Sequence, residues 1–199
     1  RAAIMSGRFP GRYGVTAPTN NRVFDPGTLT LPAALRAAGY DTCISGKWHL
    51  GSRLEWGPRN YGFNRSYGCL AGGINQYLHR YKHGPFTQTW HRDGRFIEEE
   101  GHSTDLIARE AVRYIESPRK SPFFIYTAFT APHIPIQEPS EWLVRYEGKI
   151  ADPSRLRYAA AVTHMDNAVG RLIAALERTG QRDRTLVVFT SDNGAQRDW

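Results

Sequence analysis

The sequence predicts an α/β domain built around a largely parallel central sheet. Three short apolar runs, residues 40–45, 123–129 and 186–190, each follow a segment with helical spacing. The order helix–strand therefore occurs three times, the pattern of sheets joined by crossover helices. Two of the runs, FFIYTAF and LVVFT, are nearly continuous in apolar and β-branched residues. Strands buried on both faces have that composition.

The first helix is expected over residues 31–38. Thr30 caps it, Pro32 is tolerated in its first turn and Gly39 ends it. The second covers 104–116, where Leu106, Ile107, Ala111, Val112 and Ile115 make one apolar face and Pro118 lies just beyond. The third and strongest covers 154–179. Leu156, Ala160, Met165, Val169, Leu172, Ile173 and Leu176 recur at helical spacing, with Ser154 as the expected N-cap and Gly180 as the C′ residue. Residues 51–102 have weak periodicity and are rich in Gly, Tyr, His and Arg. They read as an irregular excursion on the substrate side, with a short hairpin around TWHRDGRF.

Composition narrows the function. Of 199 residues, 26 are Lys or Arg and 19 Asp or Glu, a formal charge of +7, and 40% are apolar, values typical of a globular domain. No apolar run approaches the ~18–20 residues of a membrane span. Cys43 and Cys69 are too few for a disulfide framework and read as buried free thiols. The basic excess favours anionic partners. Nucleic acid is one such partner, but the charges are scattered and no nucleic-acid-binding module is present, and a small sulfate or phosphate ester explains the excess as well. The abrupt start at Arg1 and end at Trp199 read as cuts through a folded unit, so the sheet is expected to be incomplete at both ends.

In open α/β sheets, ligands bind beyond the carboxyl ends of the strands. The three expected strands are followed by Gly46-Lys47-Trp48-His49, Thr130-Ala131-Pro132-His133 and Ser191-Asp192-Asn193-Gly194. Lys47 and His49, two apart, share a side if the segment stays extended. A cation beside an imidazole suits an anion that needs a proton transfer; a surface lysine and a structural histidine are the alternative. His133 is held between two prolines, as a general acid or a substrate hydrogen bond would be, or is a loop histidine without a role. Asp192 and Asn193 offer hard oxygens of the kind Mg²⁺ or Ca²⁺ takes; a simple Asn-Gly turn is the alternative. His79, His83, His91, His102 and His164 receive no role, and His164, inside the long helix, is packed or solvated.

The segment GYDTCISGKWHLG, residues 39–51, resembles the second signature of the sulfatase family, in the alkaline-phosphatase-like superfamily, with its Gly-Lys-x-His core intact. RAAIMSGR resembles the tail of the first signature, which makes Arg1 the signature arginine. TLTLPAALRAAGY, STDLIAREAVRYIE, APHIPIQEPSEWL and the run from RYAAAVTHMD to TLVVFTSDNG are similar to sulfatase segments as well. GFNRSYGCLAGGINQYLHR and HIPIQEPSEWL most resemble the arylsulfatase B, or N-acetylgalactosamine-4-sulfatase, type.

The resemblance implies an alkaline-phosphatase-like α/β/α sandwich and one sulfatase catalytic domain, of which residues 1–199 are part. It implies a sulfuric ester hydrolase that removes sulfate from a sulfated carbohydrate or aryl sulfate, using a formylglycine nucleophile and a divalent cation, usually Ca²⁺, with Mg²⁺ as the alternative. Arg1 and Lys47 would hold the formylglycine and the sulfate, and His49 would contact the formylglycine hydroxyls. His133 would bind the ester and protonate the leaving oxygen. Asp192 and Asn193 would ligate the cation. The residue converted to formylglycine lies before Arg1, outside this chain, so neither Cys43 nor Cys69 takes that part. Further metal-binding aspartates and a later lysine also lie outside, and the fragment by itself is expected to be inactive. The family implies a periplasmic, secreted or lysosomal protein. A phosphodiesterase or phosphonate monoester hydrolase of the same superfamily, and a non-catalytic anion- or glycan-binding relative, are the competing readings. The oligomeric state is not indicated.

Overall fold

The computed structural model describes residues 1–82 and 84–194. Five strands, β1 (Asp41–Gly46), β2 (Arg65–Cys69), β3 (Trp90–Arg92), β4 (Arg95–Phe96) and β5 (Phe123–Ala128), form one sheet in the order β4-β3-β2-β1-β5. β1 pairs parallel with β2 on one side and with β5 on the other. The β2–β3 and β3–β4 pairs are antiparallel. The sheet is therefore mixed but mostly parallel at its centre, and the expected α/β class holds.

Alternation along β1 sends its side chains to two different cores. Ile44 joins Met5, Phe24, Trp48, Leu50, Tyr61, Phe63 and Leu70 on one face, with Phe124 and Tyr126 of β5 packed against them. The short helices α1 (Ala2–Ser6) and α2 (Leu31–Ala37) belong to this side, where Trp48 stacks on Tyr61 and meets Phe63 edge-on. On the other face, the Ser45 hydroxyl donates to the Ile107 carbonyl at 2.8 Å and ties β1 to α3 (Ser103–Glu116). The long helix α5 (Pro153–Arg178) packs on α3 through Ile115, Ala175 and Leu176, flanked by the ion pairs Arg171–Asp105 and Arg178–Glu116. A single turn, α4 (Ser140–Leu143), precedes α5.

The caps explain where the helices begin. Thr30 accepts from the Ala33 amide, as expected, and Gly39 and Gly180 adopt left-handed φ beyond α2 and α5. The N-cap of α5 is Asp152 rather than Ser154. Its carboxylate accepts from the Arg155 amide at 2.6 Å, and Pro153 fills the first helical position, where a missing N–H costs nothing. α3 starts one residue earlier than its apolar face implies, because His102 Nδ1 accepts from the Thr104 amide.

Two expectations need correction. Residues 186–190 form no strand: Leu186 is 89% and Phe189 75% exposed. Apolar composition suits a buried strand, but a strand exists only when a neighbour supplies the ladder. β5 ends the sheet, and this segment does not join it. Residues 51–102, read as irregular, contain β2, β3 and β4. The hairpin around TWHRDGRF does form, turning on Asp93 and Gly94, both with positive φ as a two-residue I′ turn requires. β2 escaped notice because RSYGC is short and carries no apolar run. Cys43 and Cys69 are buried free thiols, as expected, and burial pushes the Cys69 thiol up to about 11.

His164 of α5 is 1% exposed and stacked on Trp142. Nδ1 lies 2.7 Å from Glu138 Oε2 and Nε2 3.2 Å from Asp105 Oδ2. Burial opposes the charged imidazole, but hydrogen bonds to Asp105 and Glu138 outweigh it and raise the pKa to about 9. The His164 hydrogen bond in turn leads the causes that lower Asp105 to about 2. The His164 pKa is raised on folding, so its stabilisation is complete below the ordinary 6.5 and is lost as pH rises through about 9. The Asp105 contribution is complete above the ordinary 3.8 and is lost as pH falls toward about 2. We expect the melting temperature to fall between pH 6.5 and 9, and this fall to vanish in His164→Gln. Thermal unfolding across that range checks it; an unchanged slope in the variant would remove His164 as the source.

Candidate anion-binding active site

The site begins where the parallel strands end. Gly46 of β1 is paired with Ala128 of β5, and a Cβ on Gly46 would lie 2.0 Å from the Ala128 carbonyl oxygen. A Cβ on Gly68 of β2 would lie 2.3 Å from the Gly46 oxygen. Both glycines have φ of +120°, a region side chains avoid. Three backbones thus close up at one end of the sheet.

Beyond this point, the Lys47 amide donates to Ala128 O, the Trp48 amide to Cys69 O and the His49 amide to Leu70 O, all within 2.8–3.0 Å. Trp48 turns into the core, where its indole N–H donates to the Trp56 carbonyl. Lys47 and His49 are left for the opposite side. The expected extended alternation stops at His49, whose φ is +53°, but the two side chains still share one site. Arg1 crosses that site: one guanidinium nitrogen donates to the Lys47 carbonyl at 2.9 Å and to the Tyr126 hydroxyl at 3.2 Å, and the other lies 3.7 Å from Asp192.

His133 follows β5. Its amide donates to the Thr130 carbonyl, and Nδ1 sits 2.6 Å from the Ile134 carbonyl. That contact places the proton on Nδ1 and leaves a lone pair on Nε2. Under the two imidazoles runs Gly72-Gly73: a Cβ on Gly72 would lie 2.4 Å from His49 Nε2, and one on Gly73 3.1 Å from the His133 ring. His49 and His133 line a cavity of about 210 Å³ with Asn20, Tyr81 and Lys82. A larger cavity of about 800 Å³, under Tyr77 and Trp90, contains none of the expected site residues.

Burial and crowding of cations set the charges. Lys47 is 6% exposed, and burial, then Arg1, lower it to about 8. Burial, Lys47 and Arg1 lower His49 to about 3. Burial also lowers His133, with Lys47 adding to it. Both imidazoles are neutral at neutral pH, beside two cations with little counter-charge.

The sequence therefore placed Arg1, Lys47, His49 and His133 at one site, and Asp192 reaches it through Arg1 although no strand delivers it. Asn193 lies next to Asp192, its amide nitrogen donating to the Gly194 carbonyl. As donors to a cation, Asp192 and Asn193 fit in kind, but two oxygens make only part of the six to eight that Ca²⁺ takes. A second trio, His102, Glu138 and His164, has its ligating atoms within 4.8 Å of one another. There, His164 is committed as an imidazolium between two carboxylates, and His102 Nδ1 caps α3. His83 lies outside the described residues, and His79 and His91 are buried.

Sequence reasoning missed Gly72, Gly73 and Asn20, whose side-chain oxygen accepts from the Gly72 amide at 3.0 Å. The Gly-Gly pair lies in a stretch read only as Gly-rich and irregular, and nothing in its composition ties it to the imidazoles. Gly72→Ala should displace His49, seen as a shift of its imidazole NMR signals, while circular dichroism stays unchanged. Unshifted His49 signals in the variant would show that the imidazole does not need its glycine floor.

The sulfatase family model matches residues 1–198. The N-acetylgalactosamine-6-sulfatase of Mus musculus is 34% identical over 98% of this chain and 40% of its own length. An arylsulfatase of Klebsiella aerogenes is 29% identical over 93% of this chain and 50% of its own. The structure of Ps i-CgsB in complex with k-i-k-neocarrahexaose has a TM-score of 0.82 at 30% identity, covering 90% of this chain and 44% of that one. BT4656 in complex with its substrate D-glucosamine-2-N,6-O-disulfate shares the fold, with a TM-score of 0.71 at 20% identity over 92% of this chain and 52% of that one. The chain spans less than half the length of the 6-sulfatase it matches. The curated relatives named here are a 6-sulfatase and an arylsulfatase rather than the expected 4-sulfatase type, and they carry the family and not the sulfate position. The family generally uses a divalent metal. A family match that runs over nearly every residue, on a fold that agrees with it, means that this chain belongs to the sulfatase family.

Proposed function

We propose that the full-length protein is a sulfuric ester hydrolase acting on a sulfated carbohydrate, with this chain as part of its catalytic domain. The observation that carries this reading is the convergence of Lys47, Arg1, His49 and His133 at the carboxyl ends of β1 and β5. Lys47 and Arg1 balance the sulfate charge in a partly dehydrated pocket, where each contact is worth most. Breaking the S–O bond leaves charge on the bridging oxygen, and His133 supplies the proton that makes it an alcohol. Burial and then the nearby lysines hold His133 neutral, and an arriving anion offsets the lysines and so favours its protonated form. His49, neutral and close to both cations, accepts a proton or hydrogen bond from the attacking group. A formylglycine on a residue outside this chain would supply the attacking hydroxyl. Asp192 and Asn193 would hold a divalent cation, calcium or magnesium, with donors from beyond the described residues completing its shell, and it would screen the sulfate oxygens.

Pro18, Thr19, Asn20 and Tyr81 line the cavity beside the imidazoles and would seat the sugar, with Lys82 placed for a second anionic group on it. The protein would work in the periplasm, outside the cell or in the lysosome. No helix of the described residues is long and apolar enough to cross a membrane.

Two measurements on the full-length protein test the reading. Lys47→Ala should lower kcat/KM for a sulfate ester on the order of 10²–10³-fold with the fold intact. A phosphate ester cleaved faster than its sulfate counterpart would favour the phosphohydrolase reading, and binding without turnover would favour a glycan-binding relative. Lys82→Gln should lower kcat/KM on the order of 10-fold for a disulfated sugar and leave a monosulfated one unchanged. Equal losses on both substrates would remove Lys82 from recognition of a second anion.

A further inference from the structure

We propose that Gln76 is a positioning residue for His133, and this rests on the role of His133 as proton donor to the leaving oxygen. Gln76 is 3% exposed, outside any helix or strand, and every polar atom it has is used. Its side-chain nitrogen donates to the His133 carbonyl at 3.4 Å and to the Pro135 carbonyl at 3.2 Å. Its side-chain oxygen accepts from the hydroxyls of Ser103 and Thr130. Its backbone amide donates to Gln137 Oε1 at 3.0 Å, and its backbone oxygen accepts from the Ser103 amide at 2.8 Å.

One residue thus joins three parts of the site. Thr130 opens the loop after β5, His133, Pro135 and Gln137 lie along it, and Ser103 is the first residue of α3. Gln76 also sits just after Gly72-Gly73, the floor beneath both imidazoles. Floor and imidazole are therefore fixed to each other through one primary amide. The side-chain hydrogen bond of His133 goes to the adjacent Ile134 carbonyl, so the position of its backbone decides where Nε2 points.

The chemistry requires an amide. Two carbonyls need donors at one end, and two hydroxyls need an acceptor at the other. A carboxylate would turn an acceptor toward the His133 and Pro135 carbonyls. A thioether of similar length would leave both carbonyls and both hydroxyls without this partner, and the loop would drift.

The test uses leaving groups in the full-length protein. Wild type, Gln76→Met and His133→Ala are compared on aryl sulfates of increasing phenol pKa, with kcat and KM measured separately. A misplaced proton donor hurts poor leaving groups most, because they depend most on protonation. Gln76→Met should lose on the order of 10²-fold in kcat on the poorest leaving group and little on the best, with KM nearly constant. Its dependence on phenol pKa should steepen toward that of His133→Ala. A uniform loss across the series, or none, would overturn the proposal and leave Gln76 an ordinary core amide. A His133→Ala variant without steepening would instead sink the proton-donor role of His133 itself. If Gln76→Met fails to fold by circular dichroism, Gln76→Asn, which keeps the amide but draws it back by one methylene, carries the same comparison and should show the same steepening.

Discussion

No Cβ fits where β1, β2 and β5 come together. Gly46 and Gly68 let three backbones close to a distance that alanine forbids, and everything at that end of the sheet depends on this approach. The chain leaving β1 is held by the Ala128 carbonyl and then by the carbonyls of Cys69 and Leu70 at the end of β2, so Lys47 emerges inside the molecule. Its burial is a consequence of sheet geometry. The lowered lysine pKa, the neutral His49 and the guanidinium across the Lys47 carbonyl all follow from it.

The histidines show how neighbours set the chemistry of one residue type. His49 and His164 are both largely buried, and burial alone disfavours charge in each. His49 faces Lys47 and Arg1 and falls to about 3, whereas His164 faces Asp105 and Glu138 and rises to about 9. The first belongs in a pocket for an anion. The second is a strut between α3, α5 and the segment that follows the His133 loop, held by Asp105 on one side and Glu138 on the other. Asp105 also takes up Arg171, which draws the helix pair together.

Much of this site was legible in the sequence because its functional residues sit where strands stop. A buried run followed by Gly-Lys-Trp-His, and another followed by a histidine between prolines, can be read without coordinates. Helix boundaries were legible to within a residue or two, with the cap of α5 displaced to Asp152 because a proline occupies the first turn. What stayed hidden depends on pairing across the chain. β2 has no distinctive composition and exists because β1 and β3 lie on either side of it. Residues 186–190 have the composition and lack the neighbour. Gln76 and Asn20 are ordinary polar residues in loops, and only their partners reveal them.

The outer side of β5 and the apolar residues 186–189 have a common implication for handling the isolated polypeptide. β5 terminates the sheet with half-covered side chains, and Leu186, Val188 and Phe189 stand largely in water a short distance along the chain from Asp192. A strand at the margin of a sheet and exposed apolar side chains are each starting points for association between molecules. Concentrated solutions of this polypeptide alone would therefore be prone to self-association through these two features.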